Sequence, residues 1–166
     1  MAVLGTNPGA SLSEVAVRAG VGRATLHRHF PSREALLRDL AIAALDATDA
    51  ACAHLGSAPT ARDALELLFA ALVPLGNEYH FLARCPVDDP EVSSRYARQL
   101  AGLEQLVIAL RGEGLIADDV PDSWAVSNLD WLVWAAWSAV ANGESTERDA
   151  CQLAVRTALL GLGEGK

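Results

Sequence analysis

The amino-acid sequence predicts an all-α protein. Apolar residues recur at helical spacing through most of the 166 residues, and no stretch alternates as a half-buried strand would. Each periodic segment ends at glycine, proline or a polar cluster. Hydrophobic residues make up 51% of the chain, and the mean hydropathy of +0.20 excludes a disordered protein. We therefore expect one or two folded helical units.

The first clear elements are two short helices joined by a tight turn. Ser11 stands at an N-cap position, and Glu14, three residues later, completes a capping box for the first helix. Gly20 can adopt the positive φ that a tight turn needs. A second helix runs from Arg23 to about Phe30 and stops before a proline. This layout predicts a helix-turn-helix, whose second helix enters the major groove of DNA.

The run GVGRATLHRHFPSREALL, which begins at Gly20, closely resembles the DNA-binding end of tetracycline-repressor-like (TetR-family) regulators. The turn, the groove helix and the cap of the next helix all agree with the family pattern, although His27 replaces the usual Tyr. The resemblance covers about the first quarter of the chain. It implies a double-stranded DNA operator as partner and DNA contacts at Ser11, Arg23, Ala24, Thr25, His27, Arg28, His29 and Arg33. Arg23 is expected at bases or adjacent phosphates, and most of the others at phosphates.

The resembled family has a full helix before the Ser11 position, and here only residues 1–5 correspond to it. Val3 and Leu4 are then expected to cover the apolar side chains of the helix-turn-helix, which are Leu12, Val15, Leu26 and Phe30. We therefore describe the first helix as truncated. Either the coding start lies upstream, or the helix-turn-helix is mobile and binds DNA weakly.

Charge is distributed unevenly along the chain, which has a net charge of −8. Residues 1–38 carry five arginines against two glutamates, a balance of +3. The other residues hold 8 basic and 19 acidic side chains, a balance of −11. A basic end on an acidic body would orient the molecule on a polyanion such as DNA.

The remaining pattern predicts a helical bundle. Its segments are a long helix from Ser32 to about Gly56, a helix from Thr60 to about Leu75 that Gly76 ends, a short aromatic segment from Asn77 to Arg84, a helix capped by Asp89 and running to about Arg111, a tryptophan-rich helix from Asp122 to Asn142, and a final helix from Thr146 to Leu162. We assign residues 1–45 to a DNA-binding domain and residues 46–166 to an effector-binding and dimerisation body.

The tryptophan-rich helix is apolar nearly all round, with Asp130 as its one interior charge. On a helical wheel its four tryptophans spread over one side. Such a helix must be covered on both sides, and the rest of the body is too small to do so. The sequence therefore favours a homodimer through the last two helices, where the resembled family also dimerises. A well-packed monomer core is the alternative. Asp130 could serve a ligand or an indole N–H, or be a satisfied interface carboxylate.

The resemblance also implies an effector: a small molecule, expected to be hydrophobic, that binds in the body and shifts the DNA-binding ends. The aromatic segment and the tryptophan-rich helix supply the candidate lining residues Tyr79, Phe81, Cys85, Tyr96, Trp131 and Trp134. The residues do not identify the effector.

Residue types typical of catalysis or metal binding form no recognisable set. The four histidines lack ligand spacing with cysteines or carboxylates, so the sequence predicts no enzyme, no metal site and no cofactor. Three widely spaced cysteines indicate reduced thiols. With neither a signal peptide nor an apolar run of membrane-spanning length, a cytoplasmic protein without membrane contact is expected.

Together these patterns predict a DNA-binding transcriptional regulator, most directly a repressor that an effector releases from a palindromic operator. One alternative is a dimeric ligand-binding or scaffolding protein whose incomplete DNA-binding end does not bind DNA. An enzyme on a helical body is a further alternative that lacks a catalytic constellation.

Overall fold

The computed structural model describes residues 2–163, which fold into α-helices and short 3-10 turns without a β-strand. The helices are α1 Ala2–Thr6, α2 Leu12–Ala19, α3 Arg23–His29, α4 Arg33–Cys52, α5 Ala61–Leu72, α6 Gly76–Tyr79, α7 Pro90–Gly112, α8 Asp122–Ala141 and α9 Glu147–Leu162. The all-α prediction is confirmed. No helix in the described part of the chain is long and apolar enough to cross a membrane.

Local capping sets most helix starts. In each case a side-chain oxygen accepts a hydrogen bond from a backbone N–H two or three residues later, which satisfies an otherwise unpaired donor. The residues that do this are Ser11, Ser32, Thr60, Asp89 and Thr146. The hydrogen bond from the Val92 N–H lowers the pKa of the Asp89 carboxyl, and Arg38 lowers it further.

The prediction of a helix from Thr60 to about Leu75 is wrong at the C-terminal end. The α-helix stops at Leu72, a 3-10 turn covers Val73–Leu75, and Gly76 starts α6 instead of ending the previous helix. Pro74 has no N–H to continue an α-helical ladder. Gly76 is needed for packing: a Cβ there would lie 2.5 Å from Cδ1 of Trp137. The Trp137 indole N–H donates to the Leu72 carbonyl at 2.8 Å.

The main core lies in the body, where α5 and α7 pack against α4, α8 packs between α7 and α9, and α9 also packs against α5. Its fully buried side chains include Leu65, Phe69, Val107 and Leu129. A smaller buried group, which we call the junction cluster, lies beside the start of α4 and consists of Leu4, Ala10, Leu37, Phe81 and Cys85. Because α4 is continuous from Arg33 to Cys52, the domain boundary proposed after residue 45 falls inside a helix that both parts share.

The α1 helix packs into the junction cluster, where Leu4 is 2% exposed. Leu12 is also buried, and Val15 is half-buried against the same cluster. Leu26 and Phe30 of the groove helix remain half-buried, so α1 does not cover the helix-turn-helix as a whole.

Candidate DNA-binding surface and effector cavity

The helix-turn-helix has the predicted local geometry. The Ser11 hydroxyl accepts from the Glu14 N–H at 3.3 Å, and the Ser11 N–H donates to Glu14 Oε2 at 2.7 Å. This second bond lowers the pKa of Glu14. Gly20 adopts φ 69°, which lets the Val21 N–H donate to the Ala16 carbonyl at 3.0 Å. The turn therefore fixes how α3 leaves α2.

The α3 helix contains no buried residue. Its exposed side chains include six that the sequence assigned to DNA contacts, and Ser11 at the start of α2 is also exposed. The six are Arg23, Ala24, Thr25, His27, Arg28 and His29. These seven positions stay predicted DNA contacts, and the geometry makes all of them accessible.

Arg33 is the eighth predicted DNA contact, and it differs from the other seven. Its side chain is half-buried: Nε donates to the Ala10 carbonyl at 3.2 Å and Nη2 to the Pro8 carbonyl, while Nη2 lies 3.8 Å from Cys85 Sγ. Arg33 thereby holds the turn before α2 against the first turn of α4. Because a guanidinium has five N–H donors, these two bonds leave donors for a phosphate, and Arg33 stays a predicted DNA contact.

Arg38 is similarly committed, because it forms ion pairs with Asp89 at 2.8 Å and with Glu91 at the start of α7. The number of unpaired arginines in residues 1–38 is thus smaller than the count of five arginines suggested. Of the five arginines in residues 1–38, three are exposed and form no ion pair with any described residue, and these are Arg18, Arg23 and Arg28.

The body contains a cavity of about 840 Å³ that is open to solvent and lies between α4, α5, α7 and α8. Its wall is mainly apolar, with side chains that include Leu45, Leu68, Leu103, Val133 and Trp137. This volume falls in the range of pockets that bind small organic molecules.

The structure brings three of the six predicted effector residues to this cavity: Cys85, Tyr96 and Trp134 line it. The other three do not line it. Tyr79 is buried in the main core and Phe81 in the junction cluster, so both are packing residues. Trp131 is 69% exposed on the outer face of α8.

The placing of the tryptophans also corrects the helical-wheel interpretation. Successive helical residues are rotated by about 100°, so Trp131 turns away from the cavity that Asp130 and Trp134 line. Trp134 and Trp137 meet inside at a ring distance of 4.9 Å and an interplanar angle of 74°. Trp124, 63% exposed, joins Trp131 outside.

Asp130 and Tyr96 form a polar pair in the cavity wall. The Tyr96 hydroxyl donates to Asp130 Oδ2 at 2.5 Å. Burial is the main cause that raises the pKa of both side chains. Asp130 is recognisable in the sequence as the one interior charge of its helix. Its partner Tyr96 on α7 is not recognisable in the same way, since nothing in the sequence pairs the two helices in register.

An exposed groove helix on a capped helix-turn-helix, carried by a helical body with a cavity, defines a helix-turn-helix transcriptional regulator. Residues 8–40 match the family described as "Bacterial regulatory proteins, tetR family". The chain is 32% identical over 146 residues to the HTH-type transcriptional repressor LfrR of Mycolicibacterium smegmatis, which covers 86% of this chain and 76% of that protein. The chain belongs to the TetR family.

Solved structures agree with this assignment. The structure of LfrR in complex with proflavine superposes with a TM-score of 0.80 at 25% identity, covering 98% of this chain and 91% of LfrR. KstR2 of Mycobacterium tuberculosis, a ketosteroid transcriptional regulator, gives 0.77 at 18% identity, covering 99% of this chain and 91% of that one. KstR2 supports the fold alone. Within residues 2–163, no group of three His, Cys, Asp or Glu side chains is arranged to hold a metal ion.

Proposed function

We propose that this protein is a repressor that binds a palindromic operator as a homodimer and leaves it when a small molecule occupies the body cavity. The observation that carries the proposal is the position of Cys85. Its side chain lines the cavity and also belongs to the junction cluster. Its thiol donates to the Pro8 carbonyl at 3.5 Å, next to the turn that Arg33 holds. A ligand that moves this wall therefore acts on the support of the helix-turn-helix.

DNA binding is supported by the exposed α3 and by the three exposed arginines of residues 1–38 that form no ion pair with described residues. Arg23 and Arg28 lie on α3, and Arg18 lies in the last turn of α2. Cations in this arrangement attract the phosphate backbone, while the acidic body is repelled from it.

A homodimer is supported by apolar side chains on the outer faces of α8 and α9. Four of them have high exposed fractions: Trp124 63%, Trp131 69%, Leu153 49% and Leu160 78%. Exposed apolar surface of this kind marks an interaction site, and a two-fold axis beside α8 and α9 would cover all four with their copies. Two helix-turn-helix units related by that axis would require an operator with two half-sites.

A small-molecule effector is supported by the size and apolar wall of the cavity. The related LfrR structure contains proflavine, a planar aromatic molecule. The indole rings of Trp134 and Trp137 and the aliphatic side chains of the present cavity would suit a flat aromatic ring system.

The test is a fluorescence-anisotropy titration with DNA from upstream of the protein's own gene, repeated at several salt concentrations. We expect sequence-specific binding whose affinity falls as salt rises. Arg23→Ala should weaken it, whereas Arg62→Ala, an exposed body arginine paired with Glu66, should not. Binding without sequence preference, or none at all, would favour the alternative of a ligand-binding or scaffolding dimer.

A further inference from the structure

The Asp130 carboxylate differs from the other carboxylates that line the cavity. Asp49 pairs with Arg95 at 3.2 Å and accepts from Gln99 at 2.8 Å. Glu113 accepts from the backbone N–H groups of Ala61 and Arg62, at 2.7 Å and 3.4 Å. Asp130 has no cationic partner among residues 2–163, and the groups that donate hydrogen bonds to it, the Tyr96 hydroxyl and the Trp134 indole N–H, are neutral.

A partly buried carboxylate without a positive partner is unfavourable, because burial removes water that would solvate the charge. The raised pKa of Asp130 reflects that cost. A cation that enters the cavity would pair with the carboxylate where solvent is partly excluded, so the attraction would be stronger than at the protein surface.

The surroundings of Asp130 are aromatic. Trp134 is four residues later on α8, on the same helix face, and it lines the cavity together with Tyr96 and Trp137. Aromatic rings attract cations through their negative faces, and indole does so most strongly. A small hydrated cation would gain nothing from the aliphatic part of the wall, to which Leu68 and Leu103 belong. An extended organic molecule would contact both parts.

Arg98 is a cationic side chain at the cavity, but it is exposed and donates to Ser94 Oγ at 3.3 Å. It does not neutralise Asp130. The cavity wall thus combines a carboxylate that has no cationic partner among residues 2–163 with aliphatic side chains.

We propose that the cavity selects a monovalent aromatic cation, whose charge lies against Asp130 and the aromatic rings of Tyr96 and Trp134 and whose ring system extends over the aliphatic wall. This assignment rests on the proposed function in one respect, that the occupant of the cavity is the effector. Charge selection itself does not depend on DNA binding.

The experiment compares two probes of nearly the same shape, 10-methylacridinium, which carries a permanent charge, and acridine, which is mostly neutral at neutral pH. Binding is followed by quenching of tryptophan fluorescence, since Trp134 and Trp137 line the cavity. We expect the cation to bind the natural protein at least about tenfold more tightly than acridine.

The variant Asp130→Asn keeps the shape and removes the charge. It should weaken binding of the cation about tenfold or more and change binding of acridine by less than about twofold. Asp49→Asn is the matched control, because it removes a cavity carboxylate that already has an Arg95 partner, and it should preserve the preference for the cation. Tyr96→Phe provides a second variant that keeps the Asp130 charge, and it should also keep that preference.

Equal affinity for the two probes, or a cation affinity that survives Asp130→Asn, would overturn the charge assignment. DNA release is measured separately by adding each probe to the operator complex. Tight cation binding without release would uphold the ligand class and contradict the proposed function. Release by acridine alone would uphold the proposed function and contradict the ligand class.

Discussion

The helix-turn-helix and the body are stabilised in different ways. In α2 and α3 together the buried residues are Leu12 and Ala16. In α5 alone six residues are buried, and α8 and α9 bury nine more. The helix-turn-helix is held from outside, by the Arg33 bonds to the turn before α2 and by the junction cluster. A unit with little core of its own depends on its supports for its local stability.

The largest expected effect tests whether tight packing is what holds the body. Gly76→Ala would place a Cβ 2.5 Å from Cδ1 of buried Trp137, which is fixed by its bond to the Leu72 carbonyl. We expect a loss of about 2–3 kcal/mol in the free energy of unfolding, measured by urea denaturation.

Gly102→Ala is the matched control, since this glycine lies within α7 and a Cβ there meets no atom within 4 Å. Alanine should leave stability unchanged or raise it by about 0.5–1 kcal/mol. If the two variants were equally stable, close packing at Gly76 would not be what stabilises the body.

The sequence predicts the features that depend on neighbouring residues and does not predict those that depend on contacts between distant segments. Helix starts were predictable because Ser11, Asp89 and Thr146 act on N–H groups two or three residues away. The turn at Gly20 was predictable for the same local reason. The direction in which each tryptophan of α8 points was not, because the helix is apolar on every side and only its neighbours decide which face is inside.

The carbonyl bonds of Arg33 and the burial of Tyr79 were not predictable for the same reason. The acceptors of Arg33 lie 23 and 25 residues earlier in the chain, and Tyr79 is buried in the main core by packing between distant segments. Neither relation leaves a spacing that a reader of the sequence can recognise.

The second prediction tests the external support of the helix-turn-helix. Arg33→Ala removes the donor to the Pro8 and Ala10 carbonyls. We expect the protection of α2 and α3 against amide hydrogen exchange to fall by about 1–3 kcal/mol, while that of α8 and α9 stays unchanged. Arg28→Ala, an exposed arginine of α3, serves as the control and should leave both unchanged. A uniform loss over the whole chain would instead indicate one cooperative unit.

The third prediction concerns the ion pair between Arg38 on α4 and Asp89 at the start of α7. The pKa of Asp89 is lowered in the folded state, first by the Val92 N–H and then by Arg38. Its contribution to stability is therefore present above the ordinary aspartate pKa and is lost as pH falls through the lowered value. We expect Asp89→Ala to lower the thermal midpoint at neutral pH and to lose that effect in acid. An effect that persists undiminished in acid would exclude this linkage.

The smallest expected effect concerns Asp130. We propose that this residue binds a ligand, whereas the core residues of the body stabilise the fold. Asp130 has a pKa raised by burial, so its ionisation costs more in the folded than in the unfolded state. Below the ordinary aspartate pKa the carboxyl is neutral in both states and carries no such cost. As pH rises through the raised pKa, the charge destabilises the fold.

Asn at this position can still accept the Tyr96 hydrogen bond without carrying the charge. Asp130→Asn should therefore raise the thermal midpoint at neutral pH, and the gain should shrink toward about pH 4. A variant that is less stable at neutral pH would mean that the bond from Tyr96 to the charged oxygen outweighs burial, and that Asp130 is part of the scaffold.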